Sequence, residues 1–188
     1  MNVYDFDKTI YDGDSTADFY LFALRRHKKI FKLAPSLLGA FCKFYLLKRG
    51  TKTDFKEVMF RFLRFCDTEK DVADFWKAHK SNIKRFYMSR RRPDDVIISA
   101  SPRFLLEPVC DSLGVVHLIA SEVSPQSGRY TGTNCHGEEK VRRFHEQFAD
   151  APIEEFYTDS RSDEPMARLA EKAFIVKGEK IKPYRFLD

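Results

Sequence analysis

The hydrophobic pattern of this 188-residue chain changes at Pro93, and that change limits the folds open to it. From Ser15 to Arg92 apolar residues recur at helical spacing, with no strand-like alternation. Asp14 or Ser15 is placed to cap a first helix with Phe19, Phe22, Ala23 and Leu24 inward. A second stripe runs Ile30, Leu33, Ala34, Leu37, Leu38, Phe41, Cys42, Tyr45 and predicts one long helix with a single buried face, ended by Gly50. Thr53 or Asp54 opens a third, carrying Phe55, Val58, Met59, Phe62, Leu63 and Cys66; a fourth carries Val72, Phe75, Trp76, His79, Ile83 and Phe86. Four amphipathic helices with short connections predict a small bundle.

Beyond Pro93, short apolar runs alternate with helices. Strands are predicted at Asp95–Ser99, Val115–Ala120, Ile153–Thr158 and Ala173–Val176, and helices at Phe104–Leu113, Glu138–Phe148 and Glu164–Ala170. Glu122 to Thr133, with Ser127-Gly128 in the middle, reads as a hairpin or a loop excursion. The first strand stands apart at the N-terminus, around Val3, Tyr4 and Phe6. This arrangement predicts an α/β fold with a doubly wound parallel sheet, residues 1 to 12 plus 93 to 188, and an inserted helical cap at 13 to 92. The ligand crevice of such a sheet lies at the carboxyl ends of its strands.

Those ends carry the reactive side chains. Asp5 and Asp7 alternate with the first strand's apolar residues and so share a side. Two like charges buried side by side are costly unless a cation shares them, and hard carboxylate oxygens suit magnesium. Ser99 follows the second strand, Asp159 and Asp163 follow the strand at 153 to 158, and Lys140 begins the helix between. Metal-binding carboxylates, a nucleophile and donors for phosphoryl oxygens make a set for phosphoryl transfer.

With these residues in order, the chain resembles the haloacid dehalogenase-like superfamily, and within it the phosphoserine-phosphatase-like group. Asp5-Phe6-Asp7-Lys8-Thr9 matches the first motif, D-x-D-x-T, and Val96-Ile97-Ile98-Ser99 the second. Lys140 fits the third, and Asp159-Ser160-Arg161-Ser162-Asp163 the fourth. The resemblance implies that Asp5 is the nucleophile and Asp7 the general acid and base, with Thr9 positioning their loop. It implies Mg2+ held by Asp5, the Asp7 backbone carbonyl and Asp159, with Asp163 holding metal-bound water or orienting Lys140. Ser99 and the Ala100 N–H are implied to bind phosphoryl oxygens, and Lys140 to offset charge at Asp5. Where phosphoserine phosphatases carry a Glu nine residues after the nucleophile, this chain has Asp14, a candidate specificity residue. Ser162 replaces the usual Asn of the fourth motif, and Ala100-Ser101-Pro102 the glycines after the second.

The expected function is a magnesium-dependent phosphomonoesterase working through an aspartyl-phosphate, with a small phosphorylated metabolite as substrate. Alternatives are a phosphotransferase, or a lipid phosphatase at the membrane surface, since the cap resembles that of a phosphatidylglycerophosphate phosphatase in the same superfamily. A non-catalytic module binding nucleic acid or membrane is the third. Charge bears on these readings: residues 13 to 92 hold 20 Lys or Arg against 8 Asp or Glu, while the rest holds 13 against 20. A cap of charge +12 would steer anionic substrates inward and be drawn to an anionic membrane surface. In Arg61-Phe62-Leu63-Arg64-Phe65 the rings read as core and the cations as solvated, so nucleic acid is not the expected partner. Lys32 and Lys43 leave too short an uncharged run for a membrane span. Four widely spaced cysteines form no C-x-x-C pair, and a strand starting at residue 2 leaves no room for a signal peptide, so the cytoplasm is expected. Oligomeric state is left open.

Overall fold

The computed structural model describes residues 1–186, apart from the side chain of Lys52. Six strands form one sheet: β1 (Asn2–Tyr4), β2 (Val96–Pro102), β3 (His117–Ser121), β4 (Ile153–Thr158), β5 (Ala170–Lys177) and β6 (Lys180–Pro183). Their order is β3-β2-β1-β4-β5-β6, parallel except for β6. The shortest strand is thus central, with Val3 registered against Val96 on one side and Phe156 on the other.

Alternation along the strands sorts the core into two faces. Val3, Val96, Ile98 and Phe156 are buried with Phe144 of α7 (Glu138–Phe148) and Met166 of α8 (Glu164–Ala167). Tyr4, Ile97 and Tyr157 face the other way, against α6 (Arg103–Leu113), with its Leu105, Leu106 and Val109. That second face also receives the segment between β1 and β2, which contains α1 (Ser15–Arg26), α2 (Ala34–Phe41), α3 (Lys52–Phe60), α4 (Thr68–His79) and α5 (Arg85–Arg90). Phe19 of α1, Phe75 and Trp76 of α4 and Tyr87 of α5 join the same apolar cluster as Tyr4 and Ile97. Trp76 Nε1 also donates to the Leu105 carbonyl at 2.6 Å, fastening α4 to α6. The aromatic richness of the chain is largely spent here: Tyr4 stacks on Tyr157 at 4.8 Å, and Trp76 meets Phe6, Tyr11 and Phe75 edge-on.

Four sequence expectations need correction. The first strand ends at Tyr4 because the Phe6 carbonyl accepts the N–H groups of Thr9, Ile10 and Tyr11, winding the chain into a turn with Lys8 left-handed at φ 59°. The helix expected over Glu164–Ala170 stops at Ala167, and β5 takes up Ala170 to Lys177. Lys180-Ile181-Lys182-Pro183 then adds an antiparallel edge strand that the apolar pattern does not announce; its lysines and proline are residues that protect a sheet edge. The long second helix is three pieces: a 3-10 segment (Lys28–Leu33), α2, and a π-helical turn (Cys42–Leu46). Only Ile30 of its stripe is buried, while Leu38 is 64% exposed and Tyr45 52%. The segment is apolar on more than one side, so one face meets α3 and the other is left in solvent.

Other expectations hold. Phe62 packs against Phe19 and Tyr20 while Arg61 and Arg64 stay exposed, as expected of a core segment. The 122–133 excursion is a loop with one antiparallel bridge, Val123 to Tyr130, lying against the Phe60 carbonyl at Gly128. Among the described residues no helix is long and apolar enough to cross a membrane.

Candidate active site

The carboxyl ends of β1, β2 and β4 open on a cavity of about 450 Å³. Asp5 follows β1 directly, and its N–H still bonds the Tyr157 carbonyl at 2.9 Å, so the ladder fixes its backbone. Its carboxylate is buried, with Oδ2 accepting from the Thr9 hydroxyl at 3.3 Å and Oδ1 from Lys140 Nζ at 2.7 Å. Lys140 lies in the first turn of α7 and is itself buried; its ammonium also donates to Asp163 Oδ2 at 2.9 Å. Asp163 Oδ2 receives a second bond from the Thr158 hydroxyl at 2.8 Å.

Asp7 is held from two directions. Oδ1 accepts the Ser15 N–H at 2.7 Å, at the start of α1, and Oδ2 accepts the Ser101 hydroxyl at 2.5 Å. Ser101 in turn lies 2.9 Å from Thr16 Oγ1, so a hydroxyl chain joins the end of β2 to α1. Between Ser99 and Pro102 the pairing of β2 with β3 shifts register, a bulge that frees residues 100 and 101 from a regular ladder. Ser99 is buried on the cavity wall, its hydroxyl accepting the Ser101 N–H at 3.1 Å. Ala100 also lines the cavity, its carbonyl accepting from Lys56 Nζ of α3 at 3.3 Å.

Asp159 stands half-buried beyond β4 on the same wall. Asp14 lines the rim and also holds the helix beside it, since its Oδ1 accepts the Ala17 N–H at 3.0 Å and caps α1. Asp5, Asp7, Ser99, Ala100, Lys140, Asp159, Asp163 and Asp14 therefore all meet at one cavity.

The electrostatics are those of surplus buried negative charge. Burial lifts Asp5 well above the usual carboxylate range; Lys140 pulls it back, while Asp163 and Asp7 add to the lift. Burial, then the Asp14 carboxylate, lifts Asp7, against the hydrogen bonds from Ser101 and Ser15. Asp159 is raised by burial, with Lys177 and Lys8 opposing. Burial alone would pull Lys140 down, but Asp5 and Asp163 outweigh it and hold the ammonium above its ordinary value.

A family model of haloacid dehalogenase-like hydrolases matches residues 3–168. The chain belongs to that family.

Among curated relatives, a histidinol-phosphatase of Neisseria meningitidis serogroup C is 27% identical over 156 residues, 74% of this chain and 66% of that protein. A probable phosphatase of Mycobacterium tuberculosis is 32% identical over 117 residues, 58% of this chain. The matched region is only 38% of that relative's length. In fold, the chain is similar to a protein of unknown function from Bordetella pertussis Tohama I, with TM-score 0.69 at 20% identity, covering 92% of this chain and 87% of that one. It is also similar to a phospho-aspartyl intermediate analogue of phosphoserine phosphatase, with TM-score 0.52 at 14% identity, covering 91% and 83%.

As in sequence, the haloacid dehalogenase-like chain keeps its oxygen donors together. Asp5, Asp159 and the Asp7 backbone are hard oxygen donors that could hold a metal, and the five carboxylates on the cavity wall outnumber its three lysines, an imbalance a divalent cation would offset. The residues fit magnesium.

Sequence reasoning missed Ser101, Ser15, Thr16 and Thr158, which hold the acids, and Phe55, Lys56, Met59 and Tyr45, which line the cavity from the insertion. Ser101 had a signal: it lies two residues beyond Ser99 in a strand, hence on the same side. The others had none: a strand hydroxyl such as Thr158 reads the same in either role, and helix periodicity does not say which turn of the insertion reaches the sheet edge.

Proposed function

We propose that the chain is a magnesium-dependent phosphomonoesterase that works through an aspartyl-phosphate on Asp5. The observation that carries this reading is the bridge of Lys140 Nζ between Asp5 Oδ1 and Asp163 Oδ2 inside a cavity that also holds Asp7. Asp5, fixed by Thr9 and Lys140, presents a carboxylate oxygen to the phosphorus. As the new P–O bond forms, the bond to the alcohol breaks, and Asp7 gives its proton to the departing oxygen. Asp7 then takes a proton from the water that attacks the aspartyl-phosphate, releasing inorganic phosphate and restoring Asp5. The raised proton affinity of Asp7 supports the acid role, because a carboxyl must still hold its proton near neutral pH to donate it.

Asp5, the Asp7 backbone carbonyl and Asp159 would hold the magnesium, which supplies positive charge so that an anionic carboxylate can meet an anionic phosphate. Lys140 adds a fixed cation on the other side of Asp5, and Ser99 with the Ala100 N–H would take phosphoryl oxygens. The helical insertion 13–92 serves as the cap: Phe55, Lys56 and Met59 of α3 close one wall of the cavity and limit water. The leaving group lies between these side chains and Asp7.

Screening phosphorylated amino acids, sugars, nucleotides and lipids for phosphate release, with magnesium and then with EDTA, tests the reading. Release that needs the metal is expected; a folded protein that releases none from any member contradicts it.

A further inference from the structure

The cap carries a second cavity, a groove of about 370 Å³ between α1, the 28–33 segment, α2 and α3. Leu24, Phe31, Leu37, Phe41 and Phe55 are among its walls, and among the described residues no charged side chain lines it. Phe55 is also a wall of the catalytic cavity, so the groove begins where the proposed leaving group would emerge. Aromatic contacts continue the path: Tyr45 lies 5.7 Å from Phe55 and 4.8 Å from Phe41 between ring centroids. A groove without charged groups is ill suited to recognise a sugar or a base, but it can take a hydrocarbon chain.

The surface around it points to where such a chain comes from. Phe31, Leu38, Leu46 and Leu47 are each at least 60% exposed, an apolar strip left largely open by the described residues. Between Asp18 and Asp54 the sequence is rich in Lys and Arg and holds no Asp or Glu. Apolar side chains set among Lys28, Lys29, Lys32, Lys43, Lys48 and Arg49, with Asp54 the acid beside Lys43, match an anionic lipid surface in both respects. A second copy of the chain matches poorly, since it would bring the same basic strip against this one.

We propose that the 28–49 segment seats on an anionic bilayer, and that the substrate is a phosphomonoester bearing an acyl chain, with its phosphate at Asp5 and its chain crossing Phe55 into the groove. This rests on the phosphomonoesterase reading and, between the small metabolite expected first from sequence and the lipid ester that was its alternative, takes the lipid ester. The reaction is hydrolysis: water and the ester give inorganic phosphate and the lipid alcohol, which stays in the membrane.

The test uses the full chain in three measurements. In the first, it is sedimented with vesicles of phosphatidylcholine alone, or with about a third phosphatidylglycerol. In the second, kcat/KM is compared for butyl and dodecyl phosphate below micelle formation. In the third, both are repeated with Leu46→Glu/Leu47→Glu, two exposed positions outside either cavity. Sedimentation only with the anionic vesicles is expected, weakened at least about tenfold by the double variant. Each buried methylene is worth about fourfold in affinity, so dodecyl phosphate is expected to exceed butyl phosphate by at least about tenfold in kcat/KM, in both proteins. Binding to neither vesicle, equal binding to both, or dimerisation abolished by the double variant without vesicle binding would overturn the docking. Equal kcat/KM for the two esters would overturn the acyl-chain substrate. In each of those cases butyl phosphate turnover leaves the phosphomonoesterase reading standing, whereas no turnover of either ester by folded protein removes that reading itself.

Discussion

Lys140 Nζ and Asp5 Oδ1 meet at 2.7 Å although 135 positions separate the two residues in the chain. The contact brings the first turn of α7 onto the end of the central strand and buries an ammonium between two carboxylates. Removing one partner of such a group leaves the others charged and unpaired in a dry site. Lys140→Met is therefore expected to lower stability by about 3 to 5 kcal/mol at neutral pH, with magnesium restoring part of the loss. Thermal or denaturant unfolding with and without the metal measures it, and Lys140→Met/Asp163→Asn is expected to lose less than the sum of the two single variants.

Ser101 fixes one oxygen of Asp7, with Ser15 N–H on the other. Ser101→Ala leaves the acid with one anchor, and kcat for an alkyl phosphate is expected to fall about 10- to 100-fold. p-Nitrophenyl phosphate, whose leaving group departs without a proton, is expected to suffer less. Equal losses on both esters would assign Ser101 to something other than holding the acid.

Asp95, just before β2, is buried, and its Oδ1 has no hydrogen-bond partner among the described residues. Burial raises its carboxyl to about 6, while the Arg92 N–H at 2.7 Å holds it down in part. In the unfolded chain the group ionises near its ordinary value of about 3.9, so between there and about 6 the folded state binds more protons and stability falls as pH rises. Asp95→Asn keeps an acceptor for Arg92 and is expected to be more stable than wild type by about 2 kcal/mol above about pH 6, the difference vanishing below about pH 4. Unfolding midpoints across about pH 4 to 7.5 measure it.

Gly128 seals the 122–133 loop against the end of α3. Its φ is +72°, and a Cβ there would lie 2.4 Å from the Phe60 carbonyl oxygen, a backbone atom that cannot swing aside. Gly128→Ala is expected to cost more than about 2 kcal/mol in unfolding free energy, through strain and clash together. Denaturant unfolding of the two proteins measures it.

Much of this was legible in the sequence because strand-end chemistry is local in sequence. The acids after β1 and β4, Ser99 at the end of the apolar run of β2 and Lys140 at the head of α7 each follow an apolar run or open a helix, and a parallel sheet brings such ends together whatever the helices do. The roles of Ser101 and Thr158 were less legible, since a hydroxyl reads the same whether it holds a carboxylate or faces solvent. The 28–47 segment misled because its stripe counts apolar residues without saying what covers them: Leu38 and Tyr45 keep helical spacing yet lie in solvent. The edge strand at Lys180–Pro183 was hidden by its lysines, which suit an edge and resemble a loop.

Nucleophilic attack by Asp5 is the centre of the account, and Asp5→Asn tests it most directly. The amide keeps the size and the Thr9 contact but cannot form the aspartyl-phosphate; because Lys140 keeps Asp163 as its counter-ion, the variant is expected to fold. Phosphate release from p-nitrophenyl phosphate with magnesium should then fall by at least about 1,000-fold, within the range seen when a nucleophile is removed. Release by a folded Asp5→Asn protein at a rate near that of wild type would contradict the account.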